Sequence, residues 1–239
     1  RLPNPPAVFV GRADARQRLA RALERAPVAC VVGPGGVGKT ALALEVLHRA
    51  PAALAERCLH IAVRDGGSPS ELRARVVGAL ADAEREAAVD LVSAAAELDA
   101  AVTIALELAE RRPWCVMLDD VHHAADAADA DAMLAALAPY APHSRWVATS
   151  RVAPRAGELR AQVVALDAMP EDELVELGAN IAPDASRDAL HRAAAAASGS
   201  PWLLAQHVSG GGRAGAERGR PPAGPGARSA APPPPPGGG

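Results

Sequence analysis

Gly33, Gly38, Lys39 and Thr40 stand in the spacing G-x-x-x-x-G-K-T, which gathers backbone amides, an ammonium group and a hydroxyl around one small volume. Gly35, Gly36 and Gly38 admit the positive φ values that turn successive N–H groups inward, with Pro34 and Val37 between them. A helix begins at Ala41, and its positive end points at the same place. The product is a cradle for a polyphosphate, in which Lys39 reaches the β- and γ-phosphates and the Thr40 hydroxyl binds Mg²⁺. A glycine turn joining a strand to a helix is the plainer alternative, but such turns rarely carry all four fixed residues.

A pair of carboxylates, Asp119 and Asp120, closes the apolar run from Trp114 to Leu118. In a parallel sheet, ligand-binding groups sit at the carboxyl ends of the strands. Asp119 is expected to hold the metal through a water or Thr40, and Asp120 to orient or deprotonate an attacking water. Two acids after a strand also occur in solvated loops and as helix caps, so the phosphate loop upstream is what favours the metal-site reading. Arg151 ends another strand and is expected to face the same crevice, where a fixed cation stabilises transferred charge. Its alternative is plain exposure. His122 and His123 invite a metal site with Asp120, but no third ligand is spaced to close one, which favours a surface or supporting role.

These groups need a scaffold. Residues 28–32 read as a buried strand, 13–25 and 41–48 as helices, and 60–63 as a strand ended by Asp65-Gly66-Gly67. A helix opens at Ser70 with Leu72, Val76, Val77 and Leu80 on one face, helical patterns run from 87 to 110 until Pro113, and another helix spans 130–137. Residues 145–151 and 162–166 are further strands. Strands separated by helices imply an α/β fold of three layers, α/β/α, around a mainly parallel sheet. From Pro170 the pattern changes to short helices at 171–177, 186–197 and 202–208, the start of a helical lid. Beyond Ser209 the composition is Gly-, Pro-, Ala- and Arg-rich and is expected to be disordered. The expected domains are a nucleotide-binding unit at 1–167, a partial lid at 168–208 and a tail at 209–239.

The chain has 239 residues, 25 basic and 28 acidic, for a formal charge of −3. That balance argues against bulk electrostatic binding of nucleic acid or membrane. Only 2% of residues are aromatic, so Val, Leu, Ile and Ala must build the core. Cys30, Cys58 and Cys115 lack any C-x-x-C pairing and read as small buried thiols of a reducing compartment. No apolar segment approaches the roughly 20 residues that cross a bilayer and no signal segment opens the chain. A cytoplasmic protein is expected. The opening Arg1 suggests a fragment or a trimmed chain.

Together these residues resemble the STAND-class P-loop ATPases, the AAA+-related signalling switches that include NB-ARC proteins and bacterial MalT-like and AfsR-like regulators. The likeness runs over residues 8–208. Val8-Phe9-Val10-Gly11-Arg12 is similar to the family's h-h-G-R element, and Gly33–Thr40 to Walker A. Val116–Asp120 is similar to Walker B with a double acid, Ala148-Thr149-Ser150-Arg151 to the T-S-R sensor strand, and Gly199-Ser200-Pro201 to the lid's G-x-P. The resemblance implies a P-loop NTPase fold that binds ATP/ADP with Mg²⁺. Val10, Gly11 and Arg12 would border the adenine, Pro201 would pack on it, and Gly33 to Ala41 would hold the phosphates. Guanine is disfavoured because no N-K-x-D or T-K-x-D segment is present. Family members continue into a winged helix and ligand-sensing repeats, whereas this chain passes into its Pro/Gly tail, which is expected to be a truncated or out-of-frame end.

The expected function is an ATP/ADP-binding switch of a signalling or transcriptional regulator. Hydrolysis should be slow, because Asp120 reaches less far than the glutamate found at this position in vigorous AAA+ motors. An ATP-driven remodeller or loader is the enzymatic alternative, and an inert truncated scaffold the third. A metabolic kinase is disfavoured, since nothing resembles an acceptor-substrate lid. Implied partners are adenine nucleotide and, in a full-length form, other proteins or further copies of the chain. Nucleic acid would be met only through modules absent here, and no membrane is implied.

Overall fold

Helix α1 (Ala13–Arg25) places Ala15, Leu19 and Ala22 on one face, and all three are buried. That spacing is the stripe a helix lays on a sheet. The molecule is known from a computed structural model that describes residues 2–50, 57–63, 75, 114–123, 144–153 and 161–216. Five strands follow α1 in the chain: β1 (Val28–Val32), β2 (Cys58–Ala62), β3 (Cys115–Asp119), β4 (Arg145–Ser150) and β5 (Ala161–Ala165). They form one sheet in the order β2-β3-β4-β1-β5. Every neighbouring pair is parallel, so all five carboxyl ends lie along one edge. The order departs from chain order at one point that matters for the site. Strand β4 is inserted between β1 and β3, with Val32 opposite Ser150 and Leu118 opposite Ala148.

Helix α2 (Lys39–His48) and α1 cover one face of the sheet. Leu19, Leu42 and Val46 pack there with Ala29, Val31 and Val164, and Leu44 and Leu47 with Met117 and Val147. On the other face Cys30, Val116, Leu118, Trp146 and Ala148 are no more exposed, as expected of a sheet covered on both sides. A separate core joins α3 (Glu171–Ile181), α4 (Arg187–Ala197) and α5 (Pro201–Ala216). Leu174, Leu177, Ala194, Ala197 and Leu204 form it, and Val8 and Val10 of the N-terminal segment pack into it.

Several bounds differ from those the sequence predicts. Helix α2 begins at Lys39 rather than Ala41, because Leu42 N–H already bonds to Gly38 O at 2.9 Å. Strand β2 begins at Cys58, whose backbone pairs in register with Cys115. Helix α3 runs on to Ile181. Pro201 opens α5, a position that needs no N–H, and the helix continues past Ser209 to Ala216, since extending an anchored helix costs less than starting one. Apart from the helical residue 75, the helices expected at 70–80, 87–110 and 130–137 lie outside the described residues, as do residues 217–239. All three cysteines are buried and none forms a disulfide. Among the described residues no helix is long and apolar enough to cross a membrane.

Candidate functional site

The loop from Gly33 to Gly38 leaves β1 at the carboxyl edge. Gly36 and Gly38 take φ of 74° and 99°, values at which a Cβ is strained. Gly35 is a correction, for it is not among the positive-φ residues. A Cβ there would lie 3.3 Å from Nη2 of the exposed Arg151, a tight contact that the end of a flexible side chain can relieve. At Gly33 a Cβ would come within 2.3 Å of Leu166 O, so the chain after β5 presses directly on the loop. Gly38 precedes α2 without any side-chain cap. The N–H groups of the first turn therefore have no partner within the helix and are available to an anion.

Lys39 is the first residue of α2 and is only 6% exposed. Its Nζ donates to the carbonyls of Gly33 at 3.0 Å and Pro34 at 2.9 Å, which holds the ammonium across the loop. Burial lowers its pKa, Asp120 opposes that shift, and Arg151 adds to it. One cation is thus fixed and a second, Arg151, stands beside Gly35.

Asp119 is the last residue of β3. Its Oδ1 accepts hydrogen bonds from Thr40 Oγ1 at 2.9 Å and Thr149 Oγ1 at 2.6 Å, and His60 Nε2 lies 3.5 Å from Oδ2. Burial, the largest single influence, pushes this carboxyl up. The bonds from His60, Thr149 and Thr40 together outweigh it, and the net result lies below the usual carboxylate range. Asp119 is therefore ionised at neutral pH. Asp120 turns away from it at φ 58°, with its N–H donating to Thr149 Oγ1 at 2.8 Å. One threonine hydroxyl thus holds the Asp119 carboxylate and the Asp120 backbone.

A hydroxyl and an ionised carboxylate in hydrogen-bond contact are the hard oxygen donors that Mg²⁺ takes, so Thr40 and Asp119 fit that ion. His122 and His123 do not add a site. Their rings lie 4.2 Å apart and His122 Nδ1 is 3.8 Å from Asp120 Oδ1, but no metal-binding group of three or more ligands occurs among the described residues. Burial lowers the His122 pKa, as do the positive neighbours His123, Arg151 and Lys39, against Asp120.

A cavity of about 400 Å³ connects these groups to the lid, within the range of small-molecule pockets. Gly35 to Ala41, Asp120 and Arg151 line one side, and Val10, Arg12, Met169, Pro201 and Trp202 the other. Arg12 Nη2 donates to Val37 O at 3.4 Å, and a Cβ on Gly11 would strike the Glu173 carboxylate. Pro201 Cγ is 4.0 Å from where a Cβ of Gly38 would lie. Gly11, Gly33, Pro34 and Asp119 lie outside the lining; Pro34 O accepts from Lys39 and Asp119 from Thr40. A larger cavity of about 710 Å³ beside α1 and α2 includes Arg16, Arg49 and Arg145. Those cations are already engaged, with Glu45 and with the Leu23 and Ser144 carbonyls. The smaller cavity, where unlike charges converge on a loop of free amides, is the better candidate.

The sequence places His60 in a strand and Ser200 and Trp202 in or beside the G-x-P element without giving them a role, and gives Thr149 only a general polar one. Thr149 carried a faint signal, a hydroxyl in an apolar strand next to the acids. Nothing in the spacing links His60 to Asp119, 59 positions away.

Residues 8–147, more than half of the chain, match the family model for the AAA ATPase domain. No curated protein matches the chain in sequence. Among solved structures, Cdc6p from Pyrobaculum aerophilum is similar at 17% identity and a TM-score of 0.67, covering 90% of this chain and 64% of that one. A signal transduction ATPase with numerous domains (STAND) and a tetratricopeptide repeat sensor, from Pyrococcus horikoshii, is similar at 20% identity and a TM-score of 0.63, covering 84% of this chain and 30% of that one. The Walker-type ATPase of Pyrococcus abyssi is similar at 17% identity and a TM-score of 0.59, covering 91% and 73%. The chain thus spans less than two thirds of the first two, and identities this low speak for the fold alone. With its parallel sheet, its phosphate loop and the match over residues 8–147, the chain belongs to the AAA ATPase domain family of P-loop ATPases.

Proposed function

We propose that this chain is an adenine-nucleotide switch module of a STAND-class regulator, with residues 1–167 binding the nucleotide and a partial lid that begins at 168 and, instead of ending at 208, keeps its last helix to Ala216. The observation that carries the reading is that the phosphate loop and the lid share the walls of one cavity. A ligand there touches both, so loss of its γ-phosphate can change their contact. In this reading Lys39 and the loop amides hold the phosphates, and Arg151 meets the γ-phosphate from beside Gly35. Val10, Arg12 and Pro201 border the base, with Gly11 joining the first two outside the cavity lining. Mg²⁺ held by Thr40 and Asp119 would neutralise charge on the β- and γ-oxygens. Asp120 orients the water, and its short side chain on a left-handed backbone places that water imperfectly, so turnover is slow.

Titration with a fluorescent ADP analogue tests the reading. Saturable binding by the wild type that disappears in Lys39→Ala supports it, and absence of saturable binding overturns it. Single-turnover hydrolysis of many per second would instead favour a remodelling motor.

A further inference from the structure

The carbonyl of Gly36 is held from the lid by two donors, the Ser200 hydroxyl at 3.1 Å and the Trp202 N–H at 3.3 Å. The approach is close, for a Cβ on Gly36 would lie 2.6 Å from Ser200 Oγ. A trans peptide is planar, so a C=O and the N–H that follows it point in opposite directions. Fixing the Gly36 oxygen toward α5 therefore fixes the Val37 N–H on the opposite side of the peptide, away from α5. This peptide needs an anchor, because Gly36 at φ 74° lacks the Cβ that would otherwise restrict its rotation.

Ser200 is itself firmly placed. Its Oγ accepts from Leu203 N at 3.3 Å, so the same hydroxyl caps α5 and spends its proton on Gly36 O. Before it, Ser198 and Gly199 take φ of 48° and 81°, and Gly199 O accepts from Met169 N at 2.9 Å. The proton and one lone pair of the hydroxyl are used, and its backbone is tied to the lid, with Ser200 N donating to Ala197 O at 2.9 Å.

We propose that Ser200 is a positioning residue for phosphate binding: the docked lid holds one peptide of the loop in its anion-binding orientation, so affinity for a nucleoside diphosphate depends on lid contact. This rests on the nucleotide reading above. The test compares ADP affinity, by calorimetry on the whole chain, in the wild type, Ser200→Ala, Ser200→Gly and Ser200→Thr. Losing one hydrogen bond should weaken ADP binding about five- to tenfold in both Ala and Gly variants, while Thr stays within about twofold of the wild type. The Gly variant separates the roles, since glycine caps a helix nearly as well as serine. If Ser200→Gly binds ADP like the wild type, or Ser200→Thr binds as weakly as Ser200→Ala, the inference is overturned while the nucleotide reading stands. Absence of ADP binding by the wild type overturns both.

Discussion

Thr149→Val removes one hydroxyl from a place with no access to water, for Thr149 is fully buried. That oxygen donates to Asp119 Oδ1 at 2.6 Å and accepts from Asp120 N at 2.8 Å. Valine nearly preserves the volume, so little cavity term enters. A bond to a charged group contributes about 1.5–3 kcal/mol and a neutral one about 1 kcal/mol. Water can replace part of the second, because Asp120 is only half-buried. The expected loss of stability is about 3 kcal/mol, read as a lower urea midpoint at pH 7 with an unchanged denaturant slope. Thr149→Ser keeps the hydroxyl and loses only a methyl, at about 1 kcal/mol.

The pH dependence supplies the sharper test. Burial raises the Asp119 pKa, but the bonds from His60, Thr149 and Thr40 win and the folded value is depressed. Stabilisation from a depressed carboxyl is present above its unfolded value of about 3.9 and is lost as pH falls through the folded value. The gap between wild type and Thr149→Val should thus be full near pH 7 and narrow below about pH 4. A gap under about 1 kcal/mol at pH 7, or one that stays constant down to pH 3, would refute the account of Asp119 as an ionised, hydroxyl-held acid.

Gly199→Ala should be costly, because the new Cβ would meet the Ala168 Cβ at 2.4 Å on a backbone of φ 81°. Neither neighbour can swing aside, and about 2–4 kcal/mol is expected; a melting midpoint unchanged from the wild type contradicts this. Ser186→Ala removes the cap of α4, whose Oγ accepts from Ala189 N at 3.3 Å. A loss of about 1 kcal/mol should lower the melting midpoint by about 2–4 °C, and no change would mean that the cap contributes nothing.

The phosphate loop, the double acid and the strand pattern were legible because each is written within a dozen consecutive residues. Glycine spacing, an apolar run and a helix start act locally, so the chain alone specified the fold class and the candidate groups. Strand neighbourhood is different in kind. That β4 lies between β1 and β3 depends on how two sheet faces pack, and it alone brings Thr149 between the two acids. The same is true of Gly35, which lies beside the Arg151 guanidinium, 116 positions on, and of Ser200, which meets Gly36 across 164 positions. A motif records what a segment does to its own backbone. Which side chain supplies the second half of a hydrogen bond is decided only when distant segments are packed together, since such bonds fall off within a few tenths of an ångström.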